Sequence, residues 1–159
     1  MPQNLNSSAQ KVQEALNKYS VSCQVVEMPQ STRTAEDAAR AVGCQVGQIV
    51  KSLVFQGKQS HQALLVATSG ANRVNEKKIA GLISEPLSKA DADFVRDKTG
   101  FAIGGVPPVA HAQPIRIFID EDLLQYDEIW AAAGTPRALF KLTPRDLQKI
   151  TDGQVVSVK

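Results

Sequence analysis

Cysteine is scarce in this chain. Only Cys23 and Cys44 occur among the 159 residues, and no CxxC spacing joins them. That argues against a disulfide scaffold and for a reducing, cytoplasmic setting. Histidine is equally rare: His61 and His111, with two scattered cysteines, do not make a zinc-site spacing, so no metal is expected. No run of about 18 apolar residues occurs, so no membrane span is expected. The opening "MPQNLNSSAQ" has neither a basic start nor an apolar core, so no secretory signal is expected. There is no GxxxxGK[ST] phosphate loop. No Ser-His-Asp set or paired carboxylates can be argued from spacing. Charge is nearly balanced, 18 basic against 16 acidic residues. The densest basic patch is "NEKKI", so charge neither demands nor forbids a nucleic-acid partner.

What is present is ordinary globular material, 43% hydrophobic and 21% charged, long enough to bury a real core. With no repeat, low-complexity tract or dividing linker, residues 1–159 are expected to form one domain. Four segments carry helix signals. In "NSSAQKVQEALNKYS", Val12, Ala15, Leu16 and Tyr19 share one helical face. "TAEDAARAVG" pairs Thr34 with Asp37 in a capping-box pattern and stops at Gly43. "SKADADFVRDKTG" repeats the scheme with Ser88 and Asp91 at its start and Gly100 at its end. "TPRDLQKIT" sets Thr143 as cap, Pro144 at the first helical position and Asp146 to close the box. Strand-like runs lie between them: "CQVVEM", "IVKSLVFQ", "QALLVATS", "IRIFID", "IWAAAG", "ALFKL" and "QVVSVK". The second and third read as a hairpin around a polar turn containing Gly57. Strands outnumber helices without regular alternation, which favours an α+β fold with a curved mixed sheet.

Two features stand out for chemistry. In "IVKSLVF" the two-residue period puts Lys51 on one face with Ile49, Leu53 and Phe55. It is either a strand-end lysine reaching solvent or an ammonium held in an apolar cleft for a phosphate or carbonyl oxygen. In "TGFAIGGVPPVAH", Gly104 and Gly105 run into Val106, Pro107 and Pro108. The prolines fix φ and remove donors, and the glycines admit close approach. The loop is either a structural turn or a presenter of backbone amides to a carbonyl or carboxylate. Gly134-Thr135-Pro136 and Ser69-Gly70-Ala71-Asn72 each read as a plain turn or a pocket wall.

Taken together, "STRTAEDAARAVG", "QIVKSLVF", "LLVATSGANRVNEKKI", "DFVRDKTGFAIGGVPP" and "WAAAGTPRALFKLTPRDL" resemble the YbaK/prolyl-tRNA-synthetase-associated (ProX-like) editing domain family over roughly residues 31–150. The order and spacing of the five blocks carry the resemblance. It implies a curved mixed sheet, partly barrel-like, surrounded by helices. The activity implied is hydrolysis of the ester in misacylated tRNA, commonly tRNA for proline, with no cofactor. No synthetase catalytic domain fits in this length, so the resemblance is to a free-standing, trans-acting deacylase, with prolyl-tRNA synthetase a possible partner.

Residue by residue, the resemblance makes Lys51 the functional lysine and Gly104, Gly105 and Pro108 the family's GxxxP loop, with Val106 and Pro107 inside it. Ser69, Gly70 and Asn72 match a pocket segment, Gly134, Thr135 and Pro136 a block beside the site, and His111 a pocket histidine of some members. The mechanism implied has no dedicated protein base, the ribose hydroxyl beside the ester doing the proton work. Val106-Pro107 stands where many relatives carry a smaller polar residue, and Ala110 where glycine is frequent. The apolar tone favours alanine or 2-aminobutyrate as the amino acid removed, with cysteine next. The alternative from another class is a non-catalytic module that senses an amino acid or docks on a synthetase–tRNA complex.

Overall fold

Capping chemistry sets where the helices begin. In the computed structural model, which describes residues 5–159, helix α1 (Ser7–Asn17) starts at Asn6, whose side chain accepts from the Ser8 amide. Residues 1–4, the first part of the stretch read for a signal, lie outside the described residues. Helix α1 buries Ala9, Val12 and Leu16, while Tyr19 falls beyond its end and is exposed. Helix α2 (Ala35–Val42) is capped by Thr34, which accepts from the Asp37 amide at 3.0 Å. In α5 (Pro144–Thr151) both halves of the Thr143–Asp146 box form. Helix α4 (Ala92–Thr99) departs from the sequence reading at its start. Asp91 alone is the cap, and Ser88 belongs instead to a short strand. Helix α3 (Glu76–Ile83) was not expected. Ile79 is its one buried residue, too little for an apolar period to register.

The strands are β1 (Val25–Glu27), β2 (Ile49–Gly57), β3 (Ala63–Ser69), β4 (Leu87–Lys89), β5 (Arg116–Asp120), β6 (Ile129–Ala132), β7 (Ala138–Leu142) and β8 (Gln154–Val156). They form one mixed sheet in the order β1-β7-β6-β2-β3-β5-β8, with β4 also on β2. The expected hairpin is present, β2 antiparallel to β3 with Lys51 opposite Thr68. β2–β6, β3–β5 and β5–β8 are parallel pairs. The sheet is the mixed one anticipated, and it is open, with β1 and β8 at its two ends.

Both faces of the sheet are covered, which is why β3 reads as a continuous apolar run. Leu65 and Ala67 pack in a cluster with α1, α4 and α5 residues such as Leu16, Val95 and Leu147. Leu64 and Val66 belong to a second cluster with Phe55, Phe118 and α3's Ile79. A third joins Ala35, Ala38 and Ala39 of α2 to Ile49 and Leu139. Cys23 and Cys44 are free. Burial, and then the charge of Asp146, push the Cys23 thiol up to about 11, so it is an unreactive core group.

The C-terminal ends of β3 and β5 are tied by one carboxylate. Asp120, 1% exposed, accepts from the Thr68 hydroxyl, the Ser69 amide and the Asn72 side chain through Oδ2, and from the Asp122 amide through Oδ1. Thr68 and Ser69 are themselves buried, so losing this acceptor strands two donors away from water. Asp120→Ala is therefore expected to cost on the order of 2–6 kcal/mol, at ~1–3 per stranded group. Urea unfolding monitored by circular dichroism measures it, and a loss under 1 kcal/mol would refute the clamp.

Candidate functional site

Strand β2 has one continuous partner and two partial ones. Along β3 its pairing runs from Val50 to Gln56. On the other edge β6 meets it only at Ile49 and Val50, and β4 only at Phe55, Gln56 and Gly57. The sheet is split between them, and a cavity of about 360 Å³ occupies the split, within the size range of small-molecule sites. Every residue from Ile49 to Phe55 lines it.

Its further walls come from four places. Helix α2 contributes its N-terminal end, Thr34, Ala35 and Ala38, preceded by Thr32 and Arg33; α4 contributes Val95, with Ala90 just before the helix. The loop after α4 contributes Ile103, Gly104 and Val106, and β6 and β7 contribute Ala132 and Leu139. The walls are mainly aliphatic. The cationic groups are Lys51, half-buried and without a salt-bridge partner among the described residues, and the exposed Arg33. No carboxylate, histidine or cysteine is among the lining residues.

The Gly104–Pro108 loop is fixed by contact. Gly104 has φ +99° and sits against the Arg33 side chain, a conformation that costs an L-residue strain. A Cβ on Gly105 would lie 2.8 Å from the Thr135 backbone, and the Gly134 amide donates to the Gly105 carbonyl at 2.9 Å. The loop and the Gly134-Thr135-Pro136 turn thus interlock. The turn is held in its own right: the Pro136 carbonyl accepts from both the amide and the hydroxyl of Thr32. Val106, Pro107, Pro108 and Val109 are buried. Among the described residues, the amides of Gly104 and Val106 have no hydrogen-bond partner.

His111 is half-buried and lies behind the loop, its Nε2 2.7 Å from the Pro107 carbonyl. A carbonyl only accepts, so Nε2 carries the proton. Burial pushes the imidazole pKa down, opposed by that hydrogen bond. Ala110, next to it, has φ +69°, a left-handed conformation in which a glycine would be unstrained.

Of the residues singled out from sequence, Lys51, Gly104 and Val106 line the cavity. Gly105, Pro107 and Pro108 belong to the loop without lining the cavity, and Gly134, Thr135, Pro136 and His111 lie in the turn and segment packed against it. Ser69 and Asn72 lie at the Asp120 clamp, Ser69 Oγ donating to the Gly47 carbonyl and Asn72 to Asp120 and Asp122. Gly70 packs on Val46 and Ala35; none of these three is in the cavity wall. Arg33 and Ser52 were missed. Arg33, an arginine directly before a helix cap, was a legible signal; Ser52 was not, since only the break in strand pairing marks it.

Comparison with known proteins finds relatives over most of the chain. The family profile described as "Aminoacyl-tRNA editing domain" matches residues 29–150. A solved structure described as "a putative trans-editing enzyme for prolyl tRNA synthetase" is 52% identical, with a TM-score of 0.92 over 98% of this chain and 99% of its own. The "Uncharacterized protein YwhH" of Bacillus subtilis is 28% identical over 131 residues, 82% of this chain and 83% of that protein. The "Putative Cys-tRNA(Pro)/Cys-tRNA(Cys) deacylase EbsC" of Enterococcus faecalis is 26% identical over 128 residues, 79% of this chain and 76% of that protein.

Two outcomes are expected from the loop. Gly105→Ala forces a Cβ onto the Thr135 backbone and is expected to cost about 1–3 kcal/mol, read by chemical denaturation; an unchanged midpoint would contradict the interlock. The depressed His111 pKa means that the unfolded chain binds more protons than the folded one as pH falls below about 6.5. Stability from this group is present above that value and lost as pH drops through the folded pKa. Stability of the wild type is expected to fall more steeply between pH 7 and 5 than that of His111→Gln, which keeps a donor. Parallel pH profiles would contradict it.

Proposed function

The chain belongs to the aminoacyl-tRNA editing domain family, and on that premise we propose that it is a free-standing deacylase acting in trans on misacylated tRNA, most directly tRNA for proline. The observation that carries the reading is that Lys51 lines one small cavity together with Gly104 and Val106, whose amides have no hydrogen-bond partner among the described residues.

An ester carbonyl placed there develops negative charge on oxygen as water attacks its carbon. Fixed amides and an ammonium in a largely apolar site stabilise such charge far better than water does. The C–O bond to the terminal ribose breaks, releasing the free amino acid and the ribose hydroxyl. The water proton passes to the departing ribose oxygen, with the neighbouring ribose hydroxyl as the relay that the family resemblance implies; the lining residues, without a carboxylate or imidazole, are consistent with it. His111 is engaged with Pro107 and acts on the loop's shape. Arg33 beside Gly104 is placed for the terminal phosphate.

The amino acid removed is small and aliphatic, alanine or 2-aminobutyrate, in keeping with Ile49, Leu53, Val106, Ala132 and Leu139 in the wall. Cysteine is the next candidate, in line with the Enterococcus relative's name. A pocket that accepts proline discriminates against a missing methylene by only ~1–3 kcal/mol, which is why such a second hydrolytic site is useful. The near-neutral charge of +2 fits weak tRNA binding by the domain alone, with prolyl-tRNA synthetase supplying further contacts.

The test is release of amino acid from tRNA for proline carrying alanine, 2-aminobutyrate, cysteine, serine, threonine or proline. Rapid release of one or two non-cognate residues, sparing proline, is expected. Lys51→Ala is expected to slow it by about 10²–10³-fold, the usual loss for one charge-stabilising donor, with an unchanged circular-dichroism melt. Release of none by the wild type would overturn the deacylase reading and leave a binding module.

A further inference from the structure

The split beside β2 exposes more than side chains. The Ile49 carbonyl accepts from the Gly70 amide, and the Gly57 amide donates to the Gln62 carbonyl. Both bonds point toward β3, so by the two-residue alternation of a strand the backbone groups of Lys51, Leu53 and Phe55 point there too. Those of Val50, Ser52, Val54 and Gln56 point to the other edge. There Val50 meets β6 and Gln56 meets β4. The ladder with β6 ends at Val50–Ala131 and that with β4 at Phe55–Lys89, a pair whose flanking bond takes up the Val54 carbonyl. Ser52 thus offers its amide and carbonyl to the cavity, and Val54, about 7 Å further on at ~3.3 Å per residue, its amide.

A second observation falls on the same residue. Ser52 Oγ is the one buried side-chain polar atom among the described residues that has no hydrogen-bond partner, and Ser52 lines the cavity. Leaving a buried hydroxyl unpaired costs ~1–3 kcal/mol; Oγ is closed off from the cavity in this rotamer, so a ligand regains that amount only by drawing the Ser52 side chain round about χ1.

We propose that the open edge at Ser52 and Val54, with Ser52 Oγ, is the subsite for the α-ammonium of the aminoacyl group. The inference rests on the editing reading and deepens it. The Ser52 carbonyl and, once turned toward the cavity, its hydroxyl oxygen are acceptors, and the ammonium is the donor-rich end of an aminoacyl ester. Bound this way, the aminoacyl group lies along the open edge and shuts water away from the Ser52 and Val54 amides. Its side chain then meets the aliphatic walls, and its ester carbonyl is directed to Gly104 and Val106. Lys51, whose charge would repel the ammonium, belongs to the alternate set on β2, one residue out of phase with Ser52.

Replacing the α-ammonium by a hydroxyl separates this subsite from the rest of the machinery. Alanyl-tRNA and its deaminated counterpart, lactyl-tRNA, are each hydrolysed by the wild type and by Ser52→Ala. On the alanyl ester the variant is expected to lose about tenfold in kcat/KM, the equivalent of one hydrogen bond, and on the lactyl ester less than twofold. An equal loss on both esters, or none on either, would overturn the subsite while leaving the deacylase reading in place. A wild type inactive on both would overturn that reading first. A measurement free of any variant is amide exchange. With a non-hydrolysable 3′-amide-linked alanyl adenosine, the Ser52 and Val54 amides are expected to slow at least tenfold, while those of Lys51 and Leu53 are already protected by β3. Ser52 and Val54 amides that are slow in the free protein, or unchanged by the analogue, would overturn it.

Discussion

Strand β2 is hydrogen-bonded along one edge for nearly its whole length and along the other only at its two ends, and the site depends on that interruption. A strand buried on both faces satisfies its backbone through neighbours. Where β6 diverges after Val50 and β4 joins only at Phe55, the middle of β2 has main-chain polar groups and no protein partner. The gap holds the cavity, and the residues that flank it become functional candidates by position. Lys51 supplies charge, Ser52 an unpaired hydroxyl, and Leu53 an aliphatic wall.

A gap in a sheet persists only if its borders are rigid, and three devices hold them. Asp120 gathers four donors at the ends of β3 and β5, which fixes β3, the strand against which β2 is registered. Gly105 and the Thr135 backbone interlock, so the loop that closes the cavity cannot slide relative to the β6–β7 turn. Buried Pro107 and Pro108, with His111 on the Pro107 carbonyl, remove the loop's remaining freedom. The unpartnered amides of Gly104 and Val106 are then held in fixed positions, as the proposed charge stabilisation by fixed dipoles requires.

Much of the fold was legible because local rules agreed with tertiary packing. Thr34 and Thr143 cap helices where their spacing to Asp37 and Asp146 indicated, and the β2–β3 hairpin follows its apolar runs. Helix α3 was hidden because Ile79 alone is buried in it, and β4 because three residues with half-exposed Leu87 and Ser88 carry no period. In the site, Lys51 and Gly104 were visible as a charge in an apolar run and as paired glycines before prolines. Ser69 and Asn72 looked like pocket residues, yet their donors go to the Gly47 carbonyl and to Asp120 and Asp122, residues 22 to 50 positions away. Ser52 could not be found from sequence, because its significance is the absence of a neighbouring strand, which only the three-dimensional pairing reveals.

The central claim is that the aminoacyl ester occupies the split beside β2. A crystal structure of the protein with a non-hydrolysable alanyl amide of the terminal adenosine tests it most directly. The expected result places the acyl group between the Ser52–Val54 edge and the Gly104–Val106 loop, with its carbonyl oxygen within hydrogen-bond distance of a loop amide. An acyl group bound at the Asp120 end of the sheet, or an adenosine bound with the split left empty, would contradict it.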